Sequence, residues 1–122
     1  MTTPVKSIDV NATIQEAAGQ MDAKNISALI TTENGKHVGT VTERDFTRKV
    51  VAKGLSPADP VSNIMSTSLY TMDKNQHIFE AVECMTDKNT RHITVTENDD
   101  VVGILTIKNT FSYYLRLFGL EL

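Results

Sequence analysis

The sequence has little cysteine, tryptophan or proline, no long apolar run and no large excess of one charge, and each of these absences excludes a class of protein. It contains a single cysteine, Cys84, so an intramolecular disulfide is excluded. It contains no tryptophan and only three prolines, and no apolar run approaches the ~20 residues that a membrane-spanning helix needs. Its 15 acidic and 12 basic side chains give a net charge of −3, which argues against a nucleic-acid surface.

What remains is the composition of one compact globular domain. A chain of 122 residues can form a self-sufficient core, whereas a half of about 60 residues would be marginal by itself. No signal-peptide pattern opens the chain, so we expect a cytoplasmic protein without a membrane segment. We find no cluster with metal-ligand spacing and no nucleophile with His and Asp at a recognisable spacing. We therefore expect neither a metal site nor a catalytic residue.

One short pattern occurs twice in the chain. The first copy is Gly39-Thr40-Val41-Thr42-Glu43-Arg44-Asp45, and the second, 64 positions later, is Gly103-Ile104-Leu105-Thr106-Ile107-Lys108-Asn109. The same shift aligns residues 7–46 with residues 71–110 without a gap and gives 14 identities in 40 positions. Chance would give roughly two or three, from ordinary residue usage. Because the period exceeds that of solenoid repeats, we infer that a whole small unit was duplicated.

The residue types of this pattern suit a strand that turns into a helix. Glycine at its start lets another group approach the backbone closely. The hydroxyl of Thr42 or Thr106 can cap the first helical turn, and Asp45 or Asn109, three residues on, can cap the turn or reach a ligand. A strand-to-helix turn with free amides is also an anion site. Capping alone is the plainer interpretation, and the two roles are compatible.

The expected secondary-structure elements repeat as well. The first copy predicts a strand near Lys6–Ile8, a helix from the capping box Thr13-Ile14-Gln15-Glu16, strands at Ser27–Thr32 and His37–Val41, and a helix at Glu43–Lys53 ended by Gly54. The second copy predicts a strand near Leu69–Met72, a helix with Ile78, Ala81, Val82 and Met85 on one face, strands at His92–Thr96 and Val101–Leu105, and a helix at Ile107–Phe118 ended by Gly119. Hairpin turns are predicted at Asn34-Gly35 and at Asn98-Asp99-Asp100.

These elements predict an α/β (α+β) fold built from two tandem β-α-β-β-α repeats. We place the first repeat at residues 1–55, the linker and lead-in at residues 56–66, and the second repeat at residues 67–122. The two repeats are expected to bury their apolar faces on each other and to form one compact module.

The arrangement closely resembles a tandem pair of cystathionine-β-synthase-type (CBS) domains, the regulatory unit also called a Bateman module. The resemblance covers essentially the whole chain and rests on four stretches: Val38–Asp45, Val61–Ser66, Ile26–Ile30 and Arg91–Val95. It implies a pseudo-twofold pair of repeats with two clefts between them, usually assembled into a homodimer. In this family the clefts commonly bind AMP, ADP, ATP, S-adenosylmethionine or a dinucleotide such as NAD.

The resemblance also implies which residues line the first cleft: Ser27, Ala28, Thr42, Arg44, Asp45, Arg91 and His92. Asp45 would accept the ribose hydroxyls, and Thr42 would contact ribose or phosphate. The backbone around Ser27 and Ala28 would meet the adenine edge. Arg91 and His92 would approach the phosphates from the other repeat, since a guanidinium suits phosphate oxygens. Arg44 is a weaker phosphate candidate, because a residue at its position more often lies on the surface or in a dimer contact.

In the second cleft, Thr106, Asn109 and Thr67 take the matching places, and Thr3 is the counterpart of Thr67 in the first. Three departures from the family pattern stand out. Asn109 replaces the more usual Asp, which should weaken a ribose contact. Thr94 stands where the family often has proline, and the lead-in to the first repeat is nearly absent, since Met1-Thr2-Thr3 is all that matches Met65-Ser66-Thr67. We therefore expect two unequal clefts.

Three classes of function follow from these observations. The first is a non-catalytic sensor that binds an adenosine nucleotide and signals to a regulated protein, which the sequence does not identify. The second is a structural homodimerisation module with empty clefts. The third is a small enzyme, which the lack of a paired general acid and base disfavours. The apolar C-terminal segment supports a homodimer, because Tyr113, Leu117 and Leu120 fall outside a single helix stripe.

Overall fold

The computed structural model describes residues 6–67, 70–108, 111, 113, 117 and 119 of the 122-residue chain. These residues divide into two units, one made of residues 6–67 and the other beginning at Tyr70. Each unit contains one three-stranded sheet in which the first strand is parallel to the second and the third is antiparallel to it. The predicted mixture of helices and sheets is confirmed.

The first unit follows the predicted order of elements. They are β1 (Ser7–Asp9), α1 (Ile14–Lys24), β2 (Ala28–Glu33), β3 (Lys36–Thr42), α2 (Glu43–Asp45), a π-helical segment (Phe46–Val51) and a 3₁₀ turn (Val61–Asn63). The sheet order is β1-β2-β3. The strand bounds differ from the predicted ones by one or two residues, which is the usual uncertainty of an element end.

The second unit has the same plan. Its elements are β4 (Thr71–Asp73), α3 (Ile78–Asp87), β5 (His92–Glu97) and β6 (Asp100–Thr106), with the sheet order β4-β5-β6. Beyond β6, the described residues Ile107, Lys108, Phe111, Tyr113 and Leu117 have helical backbone, and Gly119 has a φ of 74°. The rest of the predicted helix Ile107–Phe118 lies outside the described residues.

The two long helices begin at different capping groups. In α1 the hydroxyl oxygen of Thr13 accepts the backbone N–H of Glu16 at 3.0 Å, as the capping box predicts. In α3 the same position is His77, whose Nδ1 accepts the N–H of Phe79 at 3.1 Å. Both helices are followed by an asparagine with left-handed backbone, Asn25 (φ 52°) and Asn89 (φ 51°), a residue type that tolerates this conformation.

Both hairpins close through residues with positive φ. Asn34 and Gly35 have φ values of 53° and 78°, the signature of the two-residue turn that suits twisted strands. The second hairpin uses Asn98 and Asp99, with φ values of 52° and 66°. The β2–β3 ladder shifts register between Thr31 and Thr32, and the β5–β6 ladder shifts at the corresponding place. The duplication therefore extends to the irregularities of the sheets.

The helix predicted at Glu43–Lys53 differs from the structure. Only Glu43–Asp45 is α-helical, and Phe46–Val51 is π-helical, with the N–H of Ala52 donating to the carbonyl of Thr47 at 3.0 Å. The hydroxyl of Thr47 lies 3.5 Å from the carbonyl oxygen of Glu43. Thr86 makes the same i−4 contact at 2.9 Å in α3, which stays α-helical, so this contact does not explain the π-helix. Gly54 ends the segment with a φ of 69°, as predicted.

The chain after the π-helical segment packs onto the first unit. Val61 and Ile64 are fully buried beside Ile14 and Leu29. The N–H of Val61 donates to the carbonyl of Ala12 at 2.8 Å. Further on, Ser66 pairs with Thr40 through two backbone hydrogen bonds of 2.9 and 2.8 Å. The predicted linker thus supplies core residues and forms an isolated β-bridge with β3 at Ser66.

Gly39 allows this segment to approach β3. A Cβ built on Gly39 would lie 2.6 Å from the carbonyl oxygen of Ser66 and 2.9 Å from the hydroxyl oxygen of Thr31. Distances this short are not tolerated, and the nearer atom belongs to the backbone and cannot rotate away. The sequence-based expectation that this glycine permits a close approach is confirmed.

We predict that Gly39→Ala lowers the free energy of unfolding by about 1–3 kcal/mol, because the added methyl group overpacks the contact with Ser66. Gly19→Ala is the matched control. Gly19 is exposed in the middle of α1, where a Cβ meets nothing within 4 Å, so this change should stabilise the protein by up to about 1 kcal/mol. Urea unfolding of the two variants measures both effects, and equal stability of Gly39→Ala and the unchanged protein would contradict the prediction.

Candidate functional site

The candidate site is built around the turn from β3 into α2. Thr42 ends the strand with extended backbone (φ −129°, ψ 167°) and occupies the N-cap position of the helix. Its N–H donates to Oδ2 of Asp45 at 2.9 Å, and its hydroxyl oxygen lies 3.4 Å from the same atom. The carboxylate of Asp45 therefore closes the turn onto the residue that begins it.

Asp45 is a buried acidic residue. It is 9% exposed, and its second carboxylate oxygen, Oδ1, lies 3.1 Å from Nζ of Lys49. A buried carboxylate needs such partners, because burial without them carries a large desolvation cost. Each carboxylate oxygen has two lone pairs. Oδ2 faces both the N–H and the hydroxyl of Thr42, whereas Oδ1 has the one ion pair with Lys49, so Oδ1 keeps capacity for a further donor such as a hydroxyl group.

The start of β2 lies against this turn. The N–H of Glu43 donates to the carbonyl of Ser27 at 3.2 Å, and Ala28 pairs with Thr42 in the β2–β3 ladder. Ala28 is buried and Ser27 is half-buried. The first unit therefore brings together four of the predicted site residues. They come from two stretches that are 14 or more positions apart in the sequence: Ser27 and Ala28, and Thr42 and Asp45.

The second unit repeats this arrangement with different residues. The N–H of Ile107 donates to the carbonyl of Arg91 at 2.9 Å, as that of Glu43 does to Ser27. His92 pairs with Thr106, as Ala28 does with Thr42. Arg91 is exposed, and His92 and Thr106 are half-buried. The structure thus groups three more of the predicted residues at the equivalent edge of the second sheet.

Four predicted site residues remain, of which two are described by the structure and two are not. Arg44 is exposed on the first turn of α2. Thr67 is exposed and follows Ser66, whose backbone pairs with Thr40. Thr3 and Asn109 lie outside the described residues, so their assignments stay predictions.

Sequence analysis missed Lys49 as a member of the site. Its ammonium lies 3.1 Å from Oδ1 of Asp45 and donates to the backbone carbonyl of Ile64 at 2.9 Å. The spacing of four residues between Asp45 and Lys49 is a recognisable signal for an ion pair on one helix face. The contact with Ile64 has no such signal, because it depends on how the later segment folds back.

Two further features concern the described part of the chain. In residues 6–67 and 70–108 and the few described beyond them, no three His, Cys, Asp or Glu side chains are grouped so that they could hold a metal ion. No helix among the same residues is long and apolar enough to cross a membrane.

Comparison with known proteins gives two kinds of match. A family model described as the CBS domain matches residues 1–52 and 61–116. The CBS domain-containing protein YhcV of Bacillus subtilis is 34% identical over 107 residues, which cover 88% of this chain and 76% of that protein. This chain spans less than half of two other relatives, 43% of an uncharacterized protein of Methanopyrus kandleri and 49% of the mitochondrial protein CBSX3 of Arabidopsis thaliana.

Two similar solved structures contain adenosine compounds. The CBS domain protein PAE2072 from Pyrobaculum aerophilum, complexed with AMP, has a TM-score of 0.79 and 29% identity, and the similarity covers 89% of this chain and 85% of that one. The CBS domain pair of protein MJ0100, in complex with 5′-methylthioadenosine and S-adenosyl-L-methionine, has a TM-score of 0.83 and 26% identity, with 98% and 91% covered.

Proposed function

Since the chain belongs to the CBS domain family and carries two tandem copies of that domain, we propose that it is a non-catalytic regulatory module that binds an adenosine-containing ligand. The observation that carries the proposal is the carboxylate of Asp45. It is buried, it is held in place by the N–H of Thr42, and its Oδ1 keeps a lone pair for a further donor. Two vicinal hydroxyl groups of a ribose are donors of the right kind.

The ligands of related structures support the class of compound. AMP is bound by the Pyrobaculum protein, and 5′-methylthioadenosine and S-adenosyl-L-methionine are bound by the MJ0100 domain pair. The feature that these three compounds share is adenosine. We propose AMP, ADP or ATP as the ligand of this chain, with S-adenosylmethionine and NAD as alternatives. No cofactor or metal is required by this function.

The proposed roles of the other residues follow from their chemistry. The backbone of Ser27 and Ala28 offers donors and acceptors for the edge of adenine, and Thr42 offers a hydroxyl for ribose or phosphate. Positive charge for the phosphates would come from Arg91, with His92 and Arg44 as further candidates. The second cleft would bind its ligand more weakly, through Thr106, Asn109 and Thr67. Thr3 would complete the residues of the first cleft.

We further propose that the module acts as a homodimer and passes its ligand state to a protein that it regulates. Three apolar side chains in the described part of the C-terminal segment are exposed, Phe111 (57%), Tyr113 (43%) and Leu117 (59%). Exposed apolar patches usually mark an interface. The same patch supports the second candidate function, a structural dimerisation module that binds no ligand.

We expect Asp45→Asn to weaken AMP binding about 10- to 150-fold, corresponding to the ~1.5–3 kcal/mol of a hydrogen bond to a charged group. The amide keeps an oxygen that can accept the N–H of Thr42, which is why it is preferred to alanine. Asp9→Asn is the control. Asp9 also accepts a local N–H, that of Asn11 at 2.8 Å, but it pairs with Thr32 near the hairpin end of the sheet.

Isothermal titration calorimetry of AMP into the three proteins provides the measurement. The proposal expects the Asp9→Asn variant to bind like the unchanged protein. Equal affinity of all three proteins for AMP would remove Asp45 from the site. An unchanged protein that binds none of AMP, ADP, ATP, NAD and S-adenosylmethionine would favour the structural dimerisation module.

The role of Arg91 can be tested by comparing ligands with and without phosphate. Arg91→Ala should weaken AMP and ATP more than adenosine, because adenosine lacks the group that a guanidinium would contact. The salt dependence of AMP binding should also become flatter, since one screened charge contact is lost. Arg48→Ala, another exposed arginine, is the control. The same fold-loss for all three ligands would place Arg91 outside the phosphate site.

The assembly prediction concerns the exposed C-terminal residues. We expect a dimer at micromolar concentration, and we expect the double change Tyr113→Glu and Leu117→Glu to give a folded monomer, because buried unpaired carboxylates oppose association. Val51→Glu is the control, since Val51 is 79% exposed in the other unit. Multi-angle light scattering measures the mass, and circular dichroism checks the fold. A monomer mass for the unchanged protein across this range would refute the dimer.

A further inference from the structure

Lys49 joins the candidate site to the chain that leads into the second repeat. Its ammonium lies 3.1 Å from Oδ1 of Asp45 and donates to the carbonyl of Ile64 at 2.9 Å. The Lys49 side chain is 37% exposed and that of Asp45 is 12% exposed. The Lys49 side chain is therefore partly open to solvent, whereas Asp45 and Ile64 are buried, and its ammonium is close enough to Asp45 to meet a ligand bound there.

The ion pair fixes the carboxylate in one orientation. Oδ2 accepts the N–H of Thr42 and Oδ1 faces the ammonium, so both oxygens have a defined partner. A side chain held in this way loses less conformational entropy when it binds a ligand. The ammonium also neutralises the charge of Asp45, so that a phosphate near the turn meets no uncompensated negative charge.

The segment that Lys49 holds is itself firmly attached to the first unit. Ile64 is fully buried, its N–H donates to Val61, and Ser66 pairs with Thr40 of β3. The strand that ends in the site is thus tied to this segment at Ser66, and the helix that starts at the site is tied to it by Lys49. The chain continues from here towards β4.

This contact is specific to the first repeat. The shift of 64 positions that matches Asp45 with Asn109 matches Lys49 with Tyr113. Both members of the ion pair are therefore replaced together in the second repeat. The cation is thus present in the repeat that has the carboxylate and absent from the repeat that lacks it, as expected of a side chain that acts through that carboxylate.

We propose that Lys49 is a positioning residue, which orients the Asp45 carboxylate for ligand binding. We propose also that Lys49 couples ligand binding to the segment of residues 61–66. The inference rests on the proposed function. If Lys49 strengthens binding at Asp45, the ligand must by reciprocity strengthen the contacts of Lys49, including that with Ile64. Residues 61–66 therefore become better protected when the site is filled, which gives the ligand a route to the connection between the repeats.

The experiment compares two variants of Lys49. Lys49→Met removes the charge and keeps the aliphatic stem, and Lys49→Arg keeps the positive charge. Lys53→Met is the control, because Lys53 is exposed and follows the same helical segment. Calorimetry with AMP and with adenosine should show AMP binding about three- to tenfold weaker for Lys49→Met. A smaller loss is expected for adenosine, and near-normal binding for the other two variants. Rescue by arginine separates positioning by charge from a packing role of the stem.

Hydrogen exchange of residues 61–66 provides the second readout. In the unchanged protein, saturating AMP should slow exchange in this segment, and in Lys49→Met the slowing should be lost while that at residues 27–30 remains. If Lys49→Met binds AMP with unchanged affinity, or if AMP still protects residues 61–66 in this variant, the proposed role of Lys49 is wrong and the proposed function is unaffected. An unchanged protein that binds neither AMP nor adenosine overturns the proposed function and this inference together.

Discussion

The carboxylate of Asp45 is the group on which the first repeat's turn and candidate site both depend. It is buried, so it must find partners within the chain, and it finds them in the N–H of Thr42 and the ammonium of Lys49. The first partner fixes the change of direction from strand to helix. The second links the helix to the segment around Ile64. One charged group thus determines the local backbone path and offers the acceptor that a ribose requires.

Much of the fold could be predicted from local signals. The side chain of Thr13 caps α1, and Asn34-Gly35 forms the hairpin turn, because both depend on residues close in the sequence. The close approach at Gly39 is also an expectation from the sequence, since a glycine repeated within an apolar run indicates that something packs against it. Of the candidate site, the grouping of Ser27 with Thr42 followed from the family resemblance to the CBS domains.

The parts that could not be predicted depend on contacts that local patterns do not encode. His77 caps α3 through an imidazole nitrogen, although histidine is not a usual capping residue. The π-helical segment Phe46–Val51 replaces a predicted α-helix, because its backbone hydrogen bonds run five residues back, as from Ala52 to Thr47, which the sequence pattern does not indicate. The contact between Lys49 and Ile64 spans 15 positions and exists only because the later segment folds back onto the sheet.

The most direct test of the account is to map where AMP binds on the unchanged protein by following backbone amide signals in a ¹H–¹⁵N titration. The account predicts saturable shifts that are largest at residues 27–28 and 42–45, around the buried carboxylate of Asp45, with small changes at the hairpin turns. The absence of saturable shifts, or shifts confined to the turns at residues 34–35 and 98–99, would contradict it.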